Sequence, residues 1–140
     1  MQGVTETGSG ARLRTQGGGS GDKRWTGYPY QFKNPIAGKT GTTQNQSDGW
    51  FMGMVPNLVT GVWVGCEDRS ARFKSLTYGQ GATAALPVWG YFMKLCYADD
   101  NLKVSKEDFD RPPNLSIKVD CYKPVVDTLD FDQDVKEFSF

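Results

Sequence analysis

The stretch Ile36 to Gly65, "IAGKTGTTQNQSDGWFMGMVPNLVTGVWVG", decides the fold. Residues 36–43 predict a strand. Ile and Thr suit an extended backbone, and the glycines sit where another chain must approach closely. Residues 49–55, "GWFMGMV", and 59–65, "VTGVWVG", are the clearest strands. The short turn Pro56-Asn57-Leu58 should join them as an antiparallel hairpin. Alternation along the first of these puts Trp50, Met52 and Met54 on one face and Phe51 and Val55 on the other. Both faces are apolar, so both need cover.

One cover lies downstream. In "ATAALPVWGYFMKLCY", residues Ala85, Val88, Trp89, Phe92 and Cys96 recur at helical spacing. Pro87 then belongs in the first turn, where its missing N–H does no harm. No second strong amphipathic helix is legible, so the other sheet face is expected to lack cover. The predicted fold is α+β: an antiparallel sheet of about three strands with a C-terminal helix over residues 84–97 on one face. The apolar residues crowd between positions 50 and 97, which predicts a small, local core.

The flanks are less regular. Residues 1–14 read as the end of a helix, broken by Gly8 and Gly10. Residues 15–35 form a predicted loop. Its "GGGSG", Gly17 to Gly21, is flexible, and the sequence leaves open whether it is natural or engineered. "WTGYPYQF" packs four aromatics into eight residues, which predicts a loop folded back onto the domain. Local packing is the better account of Trp25, Tyr28 and Tyr30, because rings need burial. From Asp99 the texture turns acidic, with a breaker at "DRPPN", and at most one or two short strands are expected. The predicted organisation is a folded portion over 1–98, with a Gly-rich insertion near 15–27, and an acidic, weakly ordered extension over 99–140.

Charge and cysteine usage exclude several classes. The 140 residues carry 16 basic and 16 acidic side chains. Residues 1–98 have ten Lys/Arg against five Asp/Glu, whereas 99–140 have six against eleven. Two solvated surfaces of opposite sign explain this, and so does a basic cleft for an anionic ligand. No basic run and no nucleic-acid motif occurs, so a nucleic-acid partner is not expected. No apolar run approaches the roughly 20 residues that span a bilayer, so no membrane contact is expected from this segment. "MQGVTETGSGARLR" has no leader-like apolar core. Three cysteines, Cys66, Cys96 and Cys121, and no histidine predict neither a disulfide framework nor a metal site. Cys66 and Cys96 should behave as small core hydrophobes. No cofactor is expected.

"GKTGTT" admits three readings. A phosphate-binding loop needs a glycine five positions before Gly38, where this chain has Lys33. A glycine-bearing edge strand with a solvated lysine is the bland one. The third is the Lys-Thr-Gly strand of serine acyl-transferases that handle penicillin.

Context favours the third. "GSGARLR", "PIAGKTGTTQ", "SDGWFMGMVPNLVTGVWVGCED" and "YGQGATAALPVWGYFM" follow in order. Together they resemble the last third of the transpeptidase domain of class A penicillin-binding proteins. The resemblance covers residues 1 to about 97, apart from the Gly-rich insertion. It implies an incomplete portion of a serine penicillin-binding/β-lactamase-like domain. It also implies a parent that cross-links peptidoglycan stem peptides by acyl transfer and is acylated by β-lactams. That parent would be a serine-type D-Ala-D-Ala transpeptidase fused to a glycosyltransferase, working at the periplasmic or extracytoplasmic face of the cytoplasmic membrane, with its anchor outside this chain.

The resemblance also assigns roles. Lys39 would face the substrate carboxylate and tune proton transfer, and the hydroxyls of Thr40 and Thr42 would bond that carboxylate. Gly41 would let substrate lie against the strand, and the Thr42 backbone N–H would be an oxyanion donor. Arg12 and Arg14 suit a solvated helix end better than the cleft. The nucleophilic serine is expected to be missing: Ser105–Asp108 has its lysine at the wrong spacing and Ser70–Phe73 has none. Ser47-Asp48-Gly49 lacks the asparagine of the companion motif. The fragment alone should therefore be inactive. A reading of another class stands beside this one: a non-catalytic fragment or protein-interaction module, with possible self-association.

Overall fold

A computed structural model describes residues 1–14 and 28–114. The chain divides into two compact units, Met1–Asp110 and Arg111–Phe140. The boundary expected at residue 98 falls inside the first unit. Of the second unit only residues 111–114 are described, and they hold no regular element. Trp25, the Gly-rich insertion and Cys121 lie outside the described residues.

The first unit is α+β. A short helix, α1 (Gln2–Glu6), opens it. The N–H groups of Thr7 and Gly8 both donate to the Gly3 carbonyl, each at 3.1 Å, and close the helix before the predicted glycine break. A 3-10 turn follows at Ala11–Leu13. Then come β1 (Ala37–Thr42), β2 (Asp48–Val55) and β3 (Leu58–Gly65), antiparallel in that spatial order. The register sets Lys39 beside Met52 and Thr40 beside Phe51. It also sets Trp50 beside Trp63 and Val55 beside Leu58. The hairpin turn is thus the two residues Pro56 and Asn57, one shorter than the sequence suggested. The Asn57 side chain ties it down, donating to the Lys103 carbonyl and accepting from the Ser105 N–H, both at 2.8 Å.

Two single-turn helices missed in the sequence, α2 (Leu76–Gly79) and α3 (Gly81–Ala84), lead into α4 (Leu86–Ala98). Pro87 occupies the first turn of α4, as its chemistry requires. The buried stripe is Leu86, Trp89, Gly90, Met93 and Cys96. The predicted stripe was rotated: Val88 and Phe92 face solvent, 51% and 43% exposed. Trp89 fixes the rotation, because its ring is the largest fully buried side chain and packs edge-on against Phe51 at 5.3 Å. Its indole N–H donates to the Thr60 hydroxyl at 2.6 Å, so the buried polar atom is satisfied.

The core is less local than predicted. Leu13, Tyr30, Phe32 and Ile36 join Phe51, Val55, Ala85, Leu86, Trp89 and Met93. Tyr28, Tyr30 and Phe32 stack on one another at 5.3 and 5.4 Å, so this aromatic stretch does fold back. Gly90 makes room for it: a Cβ there would lie 2.4 Å from a Tyr30 ring carbon. Arg12 and Arg14 are partly buried rather than fully solvated. Arg14 donates to the carbonyls of Phe32 and Asn34, and Arg12 to that of Ala82. Cys96 is buried as expected, but Cys66 is exposed, because it lies just past the last residue of β3.

Candidate active-site edge

β1 is an outer strand of the sheet, paired only with β2 among the described strands. Which backbone groups point outward follows from two bonds. The Thr43 N–H turns inward to the Asp48 carbonyl at 3.1 Å, whereas the Gly38 N–H turns outward to the Met1 carbonyl at 3.4 Å. Strand alternation then sends the N–H and C=O groups of Thr40 and Thr42 to the outer edge. An outer row of unpaired donors and acceptors is what an extended peptide needs for pairing.

The side chains alternate the other way. Lys39 and Gly41 share a face with Met52 and Trp50, while Thr40 and Thr42 share the opposite face with Phe51 and Gly49. The four predicted site residues therefore do not converge from one face. They meet at the edge instead. The exposed Lys39 ammonium curls round to donate to the Thr40 carbonyl at 2.7 Å, which places its charge at that outer row.

The hydroxyls are already engaged. Thr40 Oγ1 lies 2.7 Å from Ser9 Oγ, and Thr42 Oγ1 accepts the Gly81 N–H at 3.1 Å. Each threonine keeps further bonding capacity, since a hydroxyl offers one donor and two acceptor positions. Gly41 is half-buried, and a Cβ there would sit 3.2 Å from Trp50 Cβ. Gly81 is the tighter position. A Cβ there would fall 2.2 Å from the Trp50 carbonyl oxygen and 2.4 Å from that of Gly41, so only glycine lets α3 reach the sheet.

A second set of bonds holds the far end of β1. Thr43 Oγ1 donates to Asp48 Oδ2 at 3.2 Å and accepts the Asp48 N–H at 3.0 Å. Asp48 Oδ1 accepts the Trp63 indole N–H at 3.1 Å. One carboxylate thereby ties all three strands at this end. Ser9, Gly81 and Asp48 were not singled out in the sequence. Ser9 and Gly81 lie far from Lys39 along the chain, and only the fold brings them beside it.

Contrary to the expectation of no nucleophile motif, Ser20-Gly21-Asp22-Lys23 has Ser-x-x-Lys spacing. It falls inside the Gly-rich stretch, outside the described residues.

No family model matches the chain. Curated relatives do. It is 41% identical over 78 residues to Penicillin-binding protein 1A of Aquifex aeolicus, covering 56% of this chain and 10% of that protein. It is 37% identical over 89 residues to Penicillin-binding protein 1A of Pseudomonas aeruginosa, covering 63% of this chain and 10% of that one. The crystal structure of Penicillin-Binding Protein 1A from Haemophilus influenzae aligns with a TM-score of 0.47 at 29% identity, over 69% of this chain and 14% of that one. The chain thus spans about a tenth of the length of the curated relatives it matches. Over part of its length the chain is similar to a region of class A penicillin-binding proteins. The relatives matched there are penicillin-binding proteins 1A.

Proposed function

We propose that this chain supplies the Lys-Thr-Gly wall of a peptidoglycan D,D-transpeptidase that penicillin acylates, in a parent protein at the periplasmic face of the membrane. The observation that carries the reading is the outer edge of β1. There the Thr42 N–H belongs to a backbone row that no other described strand pairs, and the Lys39 ammonium sits on the Thr40 carbonyl of the same row. A peptide ending in a carboxylate would pair with that row, and Lys39 would hold the carboxylate. An oxyanion at the reacting carbonyl would take the Thr42 N–H, a donor of a kind worth about 2.7–4 kcal/mol of barrier. Gly41 keeps a side chain from the strand there. Among the described residues no helix is long and apolar enough to cross a membrane.

Second-order acylation constants of the parent with labelled penicillin test this. Lys39→Ala should abolish most of the rate, and Lys39→Arg should not restore it, since Arg holds its proton too tightly and has another shape. Thr42→Ala keeps the backbone N–H and loses one neutral hydrogen bond, about 0.5–1.5 kcal/mol, or about a factor of two to ten in rate. Equal damage from Thr42→Ala and Lys39→Ala would refute the backbone role. The 140-residue chain alone should gain no penicillin mass. A stoichiometric adduct on Ser20 would place the nucleophile inside it.

A further inference from the structure

A groove of about 580 Å³ opens away from the β1 edge, between the segment at residues 29–34 and the last turns of α4. Tyr30, Phe32 and Tyr97 line it as rings, and Lys33, Lys94 and Lys106 bring three ammonium groups. Its lining holds no Asp or Glu. All three lysines are exposed, and none forms an ion pair among the described residues. The Lys106 ammonium lies 5.2 Å above the Tyr97 ring, a cation–π distance, so one cation is held at the wall. The floor is rigid. Phe32 meets Tyr97 edge-on at 5.7 Å, and Asn34 Nδ2 donates to the Tyr97 hydroxyl at 2.8 Å. Burial moves that hydroxyl's pKa further up from its ordinary value, so it has a proton to donate at neutral pH.

The shape and chemistry select the ligand. The volume lies within the usual range for a binding site. Between bends at Pro29 and Asn34 the chain carries no turn over residues 30–33, and the Tyr30 and Phe32 rings stack two residues apart, as along an extended backbone. The backbone of Phe32 is used on the far side, where its N–H donates to Leu13 and its carbonyl accepts from Arg14. Alternation turns the backbone groups of Gln31 and Lys33, both of which line the groove, the other way. An extended peptide can pair with such a segment. Phosphate is a poorer fit. The groove has no arginine fork, and it lies at the C-terminal end of α4, whose carbonyl dipoles oppose a compact multiple charge.

We propose that this groove binds an acidic peptide segment in extended conformation, with carboxylates on Lys33, Lys94 and Lys106 and apolar side chains on the ring floor. The site is independent of the β1 edge, so it stands or falls apart from the transpeptidase reading.

The test is fluorescence anisotropy of the full chain with a fluorescein-labelled Glu-Phe-Glu-Leu-Glu-Phe peptide at low salt. Saturable binding is expected, weakening as salt rises. The double variant Lys33→Ser/Lys94→Ser should weaken it about fivefold, as two exposed pairs predict. Lys106→Ser should weaken it less, and Lys74→Ser, outside the groove, should leave it unchanged. These positions are solvent-exposed, and circular dichroism checks that each variant is folded. No saturation by about 1 mM peptide overturns the proposal, since affinity would then be negligible. So does an unchanged affinity in both groove variants. Displacement by tripolyphosphate as effective as by unlabelled peptide would also overturn it, by making the site one for phosphate.

Discussion

The two faces of the hairpin have similar composition and opposite fates. On one, Phe51 and Val55 are fully buried beneath α4. On the other, Trp50, Met52, Val59 and Trp63 stay 39–63% exposed. The difference lies in what each face meets. Gly53 on the covered face makes way for the Trp89 ring, which would lie 2.4 Å from a Cβ there. Gly61, on the open face, would meet the Met52 sulfur at the same 2.4 Å. A thioether can swing aside, and a ring locked in the core cannot. Apolar composition alone therefore does not make a core; a rigid partner on the other side does.

The largest expected effect tests that partner. Trp89→Ala should destabilise the chain by about 3–5 kcal/mol in urea unfolding, through cavity formation. A loss below about 1 kcal/mol would mean that the two faces are not so different. Next comes the glycine pair. Gly53→Ala should cost about 1–3 kcal/mol by overpacking, while Gly61→Ala stays within about 0.5 kcal/mol. Equal effects at both positions would break the comparison.

A smaller change is expected from the open face. Trp50 and Trp63 lie 6.4 Å apart with their rings tilted at 41° and remain half-exposed, so Trp50→Ser with Trp63→Ser should alter stability by about 1 kcal/mol at most. Its main effect should be on association. An exposed apolar patch tends to find partners, so the wild-type chain should self-associate across a sedimentation concentration series and the double variant less so. A strictly monomeric wild type would refute this. A comparably small effect is expected from Thr42→Ala, which leaves the Gly81 N–H without its acceptor. It should cost about 1 kcal/mol of stability, and Thr42→Ser should restore it.

Much of the fold was legible. The three strands, their antiparallel order and the helix with Pro87 in its first turn followed from alternation, helical spacing and turn chemistry. So did the uncovered sheet face. The rotation of α4 was not. Its spacing fits two overlapping stripes, and what chooses between them is a ring contact with Phe51 and a hydrogen bond to Thr60, both from other elements. The recruitment of Leu13, Tyr30, Phe32 and Ile36 into the core was hidden for the same reason.

The site divides likewise. "GKTGTT" and its ordered companions were enough to name Lys39, Thr40, Gly41 and Thr42, because short motifs survive in the linear string. In the folded strand Lys39 and the two threonines lie on opposite faces. What brings them to one place is the outer position of β1, which is not a local property, together with the turn of the Lys39 side chain onto the carbonyl of the next residue, Thr40. By itself the sequence determined which residues extend, which coil and which carry the motif, since these depend on neighbours a few positions away. Only the tertiary structure decided which apolar face is core, which backbone row stays open and which lysines share a groove with Tyr97. Those are contacts between residues distant in sequence, selected by packing and hydrogen bonding once the strands and helices have met.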